Sequence, residues 1–142
     1  MFATIIKASE NFCIHQIRAE HQVHDNLSDL RTLIAYIDIE MQNDNKTHRV
    51  YVCPSNGFAQ RISTLFLEED QSDEETLVDM TLEIANLIVG SAKVVAEELG
   101  ENPFVIKTPH FEKIDKFDFN YDEIKVIQVQ KDEIIIAVKE LD

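Results

Sequence analysis

Glu83 and Asn86 place a carboxylate and a carboxamide three residues apart in a segment whose apolar pattern is helical. The ionised carboxylate only accepts hydrogen bonds and carries charge, whereas the neutral carboxamide both donates and accepts. At 100° per residue, Asp79, Glu83, Asn86, Gly90, Lys93 and Glu97, spaced 4, 3, 4, 3 and 4, stack along one strip of a helix. Asn competes for backbone hydrogen bonds, and Gly costs about 1 kcal/mol relative to Ala in a helix interior. Helix stability therefore does not account for Asn86 and Gly90. Gly90 would strip the ridge of bulk and let another backbone or a ligand come close. The competing reading is a solvated face with an incidental Asn and Gly, and these residues alone do not separate the two.

The element that must carry the strip is a helix predicted between Ser72 and Gly100. Ser72 is the expected N-cap, with Glu75 reaching back to its amide and acidic residues filling the positively polarised first turn. Gly100 followed by Pro103 is the stop. Leu77, Met80, Ile84, Leu87, Ile88 and Val95 make a broad apolar side, which Ala85, Val89, Ala92 and Ala96 extend.

The pattern Asp79-x-x-x-Glu83-x-x-Asn86, then 22 residues, then Pro109, resembles the signature of the CheC/CheX/FliY family of chemotaxis phosphatases. The run Asn86-Leu-Ile-Val-Gly90-Ser-Ala-Lys93 is also similar to that family's sequence after the Asn. Helix one carries no second copy: Glu10 is followed three residues on by Cys13 rather than Asn, Ile6 takes the place of the Asp or Ser, and no proline follows. One motif, in the second half, is the pattern of CheX-like members.

The resemblance implies an α+β fold of duplicated helix-plus-three-strand halves, with two long helices on one face of an antiparallel sheet. It implies phosphatase action on the phosphorylated aspartate of a CheY-like response regulator. Asn86 would then position the attacking water and Glu83 would anchor to a regulator lysine. Asp79, Gly90 and Lys93 are expected at the partner-binding surface, and Pro109 is expected to be structural. The Mg²⁺ belongs to the regulator, so no cofactor and no metal of its own is expected. A homodimer joined by strand pairing is also implied, and the Ile- and Val-rich final hairpin is the expected edge. A non-catalytic docking module of the flagellar switch or receptor array is the competing function, and a structural domain with an accidental motif is a third.

Residues 1–142 are enough for one domain with a real core. With 44% hydrophobic residues the chain is globular rather than disordered. Its net charge of -14 argues against nucleic acid or an anionic membrane as partner and suits a basic patch on another protein. Met1-Phe-Ala-Thr-Ile-Ile-Lys lacks a secretory leader, and no apolar run approaches the ~20 residues that cross a bilayer. A cytoplasmic protein is expected, with Cys13 and Cys53 reduced and packed as small core residues.

Along the rest of the chain, residues 2–19 recur as an amphipathic helix, and 20–27 are short and read as extended. Leu33, Ala35, Ile37 and Ile39 alternate, Asn43 to Lys46 turn, and Val50 and Val52 return as a hairpin. A short helix follows through Phe58, Ile62, Leu65 and Phe66, then an acidic connector. Phe104 to Thr108 read as a strand ending at Pro109, residues 110–123 carry no assignable pattern, and Ile127 to Val138 form a second hairpin. Helix then hairpin thus occurs twice. Of the five histidines, His21-x-x-His24 would put two metal ligands on one face if the segment were helical, but no Cys or Glu partner stands at a familiar spacing. Surface histidines are the expected reading.

Overall fold

The structure is a computed structural model and describes residues 1–141. Helix α1 (Phe2–Phe12) widens into a π-turn over Cys13–Ile17 and stops at Arg18, which takes a left-handed conformation. Strand β1 (Gln22–His24) follows, then β2 (Thr32–Met41) and β3 (Thr47–Pro54) as a hairpin, α2 (Asn56–Leu67) and α3 (Glu74–Glu98). The chain closes with β4 (Phe104–Ile106), β5 (His110–Asp115), β6 (Glu123–Val129) and β7 (Asp132–Leu141).

All the strands pair antiparallel in one sheet of order β1-β6-β7-β3-β2-β4, and β5 continues β4 along the same edge of β2. Written by halves, this order is first, second′, third′, third, second, first′, a palindrome about the β3–β7 pair. Each half thus contributes a helix and three strands, the expected duplicated α+β arrangement, and each lends its first strand to the other half's hairpin.

The alternation of β2, β3 and β7 decides which face is which. Ile37, Ile39, Val50, Val52, Ile134, Ile136 and Val138 point to the helices and are buried with Ile5, Phe12, Phe58, Ile62, Ile84 and Ile88. All three helices lie on that face, with α2 as a short addition to the two expected. Burying each such Ile or Phe is worth roughly 1.5–3 kcal/mol. The opposite residues Ile34, Tyr51, Cys53, Ile135 and Ala137 form a second buried layer, roofed by Phe117 and Phe119, whose rings lie 5.2 Å from that of Tyr51. The Phe117-x-Phe119-x-Tyr121 alternation inside 110–123 was the available sign of this roof.

Two expectations need correction. The strand from Phe104 does not leave the sheet at Pro109. It pairs with β2 through Ile39↔Ile106 and a last bond from Lys107 N–H to Asp38 C=O at 2.9 Å, breaks at 108–109 where proline has no amide to give, and resumes at Tyr36↔His110. Nor is the final hairpin an edge: β6 lies between β1 and β7, and β7 between β6 and β3, which leaves β1 and the β4–β5 line outermost. The segment 20–27 is extended as expected, so His21 and His24 share no helical face. His24 is in β1 and meets Gln128 at 3.2 Å, while His21 just before it pairs with Glu10 of α1 at 3.0 Å.

Candidate functional site on helix α3

Helix α3 begins one residue later than expected. Asp73 is the N-cap, its carboxylate accepting from the Thr76 amide at 2.8 Å, and hydrogen bonding from Thr76 holds that carboxyl below the usual range. Ser72 is drawn instead to α2: its amide donates to Gln60 Oε1 at 2.8 Å, and its hydroxyl meets Ser63 and Glu69. Two carboxylates, Glu74 and Glu75, fill the first turn and suit the positive end of the helix dipole. At the other end Gly100 (φ 68°) closes a Schellman turn, with Glu101 N–H donating to Ala96 C=O at 2.9 Å and Gly100 N–H to Glu97 C=O at 3.2 Å.

The roll is set by Leu77, Met80, Ile84, Ala85, Ile88, Val89, Ala92 and Ala96, all buried against the sheet and α1. The opposite side then presents Asp79, Glu83 and Asn86 to solvent, with Gly90 and Lys93 half-buried further along. Among the described residues none of Asp79, Glu83, Asn86 and Lys93 makes a side-chain hydrogen bond or ion pair. A Cβ added at Gly90 would meet nothing within 4 Å, so packing inside the chain does not require glycine there. Pro109 lies elsewhere, half-buried at the break between β4 and β5.

The exposed face is wider than the predicted strip. Leu87, expected on the apolar side, is 38% exposed, and Val94 is 53% exposed. They flank the polar ridge on the side of α1. The two helices run in opposite directions: Thr4 near the start of α1 bonds Glu101 just past the end of α3 at 2.6 Å, while Asn11 and His15 face Leu87 and Ser91 across a shallow groove. These α1 residues are the part of the surface that the sequence reading missed. The corresponding positions of the first half offer no second ridge, because Glu10 is paired with His21 and Cys13 is buried.

An exposed carboxylate free to meet a cation, with an uncharged carboxamide one turn on, can hold a polar partner and orient a water without adding charge. The family model described as "Chemotaxis phosphatase CheX" matches residues 37–132, a span that takes in the whole of α3 and both strands of the broken edge. The chain belongs to the CheX family. Its likeness to solved structures runs nearly end to end: a CheX from Vibrio vulnificus superposes with a TM-score of 0.75 at 18% identity, covering 97% of each chain. A CheX from Borrelia burgdorferi, solved as a CheX–CheY–BeF3–Mg²⁺ complex, gives 0.67 at 13% identity with 97% of each chain covered. The middle domain of FliM from H. pylori is more distant, at 0.54 and 11% identity, covering 96% of this chain and 84% of that one. A search of curated proteins returns no match. Among the described residues no group of three or more His, Cys, Asp or Glu could hold a metal, and no helix is long and apolar enough to cross a membrane.

Proposed function

We propose that this CheX-family chain hydrolyses the aspartyl phosphate of a CheY-like response regulator. The observation that carries the reading is the free, outward placement of Glu83 and Asn86 on one face of a helix whose roll is fixed by its buried side. Transfer of such a phosphoryl group passes through a loose transition state with little bond to the incoming oxygen, so positioning and charge neutralisation matter more than a strong base. Asn86 enters the regulator's pocket and holds a water in line with phosphorus, its amide accepting from or donating to that water without repelling the phosphate. The water oxygen bonds to phosphorus as the bond to the aspartate oxygen breaks, giving inorganic phosphate and a free carboxylate. A carboxylate at position 86 would oppose the phosphate charge.

Glu83 pairs with a lysine of the regulator and sets the ridge over the phosphorylated side chain, while Asp79 and Lys93 lie at the margins of the contact. Gly90 keeps the ridge low enough for the regulator backbone to approach. Divalent metal that offsets the phosphoryl charge is bound by the regulator, in keeping with the Mg²⁺ and BeF3 of the Borrelia CheX–CheY complex. The homodimer expected for the family would form along the β4–β5 line or β1, since these strands are outermost.

The test is phosphate release from a CheY-like regulator loaded with acetyl phosphate and Mg²⁺, with and without this chain. Acceleration that grows with the chain's concentration is the expected result. Binding without acceleration would assign the chain to docking rather than catalysis.

A further inference from the structure

A ridge of four or five side chains is too small to hold a regulator. Specific protein interfaces bury about 800 Å² on each partner and engage about 20–30 residues a side. A regulator that receives Asn86 must also cover Leu87, the next residue, and Ser91 one turn beyond it. Leu87 and Ser91 form one wall of the groove whose other wall is α1, through Asn11 and His15.

The shape of that second wall has a local cause. At the end of α1 the Arg18 amide donates to Cys13 C=O at 2.9 Å, a bond across five residues in place of four. The wide turn changes the phase of the helix: Cys13 is buried, while Ile14, His15 and Gln16 are exposed. The wide turn closes the C-terminal end of the helix, a place where π-turns occur. Among the described residues the His15 side chain has no hydrogen-bond or ionic partner. The groove is about 230 Å³, the volume of one large side chain rather than of a cofactor. Its lining is mixed, with Phe12 and Leu87 apolar and Asn11, His15 and Ser91 polar.

From this we infer that the α1–α3 groove is a second contact for the same regulator, taking one apolar side chain that flanks the phosphorylated aspartate. Leu87 and His15 are its specificity-determining residues. The inference rests on the phosphatase reading, and the two fail separately. Asn86 governs turnover of a bound regulator; Leu87 and His15 govern which regulator binds and how tightly.

The experiment takes a CheY-like regulator that the parent chain dephosphorylates and compares parent, Leu87→Ala, His15→Ala and Lys7→Ala. Lys7 is exposed on α1 and does not line the groove. For Leu87→Ala and His15→Ala the expected result is a KM raised about tenfold with kcat within twofold of the parent, and a Kd for the regulator loaded with beryllofluoride and Mg²⁺ weakened by the same factor. Lys7→Ala should match the parent. Circular dichroism checks that the folds are intact, which the exposure of both side chains favours. Unchanged KM and Kd in both groove variants would overturn the inference while leaving the phosphatase intact, as would a fall in kcat alone. If the parent accelerates no regulator, the function itself has failed, and the groove with it.

Discussion

Asn86 and Gly90 both weaken the helix that carries them, so their cost and their benefit can be measured separately. Replacing Asn86 by Ala should leave the fold intact and raise stability by about 0.5 kcal/mol, since Ala is the better helix former. The same change should lower phosphate release from a phosphorylated regulator by roughly 10²-fold or more, because the water is no longer held in line. A denaturant melt and a single-turnover assay on one preparation check both halves, and wild-type turnover would remove Asn86 from the mechanism. Gly90→Ala makes the same point about approach. Its added methyl meets open space within the chain, so stability should rise by about 0.5–1 kcal/mol. Affinity for the regulator should nevertheless fall by about tenfold, close to 1.4 kcal/mol, because the methyl stands where the partner's backbone comes. Glu83→Lys should weaken the complex by reversing the charge that meets a lysine, with most of the loss in KM. Binding unaffected by that reversal would take Glu83 out of the interface.

At the scale of elements, the sequence disclosed most where one residue alone makes the decision. Helix α3, its glycine stop, the 43–46 turn and both hairpins follow from periodicity and from residues with special backbone preferences. The cap was misread because Ser72 and Asp73 are both good caps, and the choice between them was made by Gln60 and Ser63 on α2, which no local pattern reveals. The edge at Pro109 was misread for a related reason. A proline marks a lost hydrogen bond, but whether the chain then departs or rejoins depends on β2, 70 or more residues earlier. The ridge was legible because every residue in it lies on one helix, while the groove was not, because half of it belongs to α1. A contact of the same long-range kind makes a prediction about α2. Gly57 in its first turn lies against the carboxylate of Asp132, which is held by Arg61 Nε at 2.6 Å, and an added Cβ would collide with that carboxylate. Gly57→Ala should therefore destabilise the fold by about 1–3 kcal/mol, although alanine is the better helix former. A stability unchanged or improved in a urea melt would show that the Asp132–Arg61 pair yields easily.

Over the whole molecule, both faces of the sheet are buried, and each layer hides one thiol. Burial pushes the Cys13 thiol up to about 12, with the charge of Glu10 adding to it, and burial raises Cys53 further still. In the unfolded chain a thiol ionises near 8.5. Above that pH the unfolded state gives up protons that the folded state keeps, so this contribution to stability is intact below about pH 8.5 and declines as pH climbs toward 12. Urea melts at pH 8 and pH 10 should show a larger loss in the parent than in a Cys13→Ala, Cys53→Ala double variant. Equal losses would mean that the thiols are not what titrates. Neither thiol should react with a water-soluble disulfide reagent at pH 8 until the chain is unfolded.

The strand order has a consequence for the halves themselves. Since β1 hydrogen-bonds only to β6, and β4 and β5 only to β2, neither half owns a complete three-stranded layer. A fragment ending after β3 would hold a helix, a hairpin and one orphaned ribbon with nothing of its own to lie against. Two copies of such a fragment could satisfy each other by trading ribbons across a twofold axis. The present chain has the form of that reciprocal pair, joined end to end by α2, with an open polar ridge on one of its two long helices.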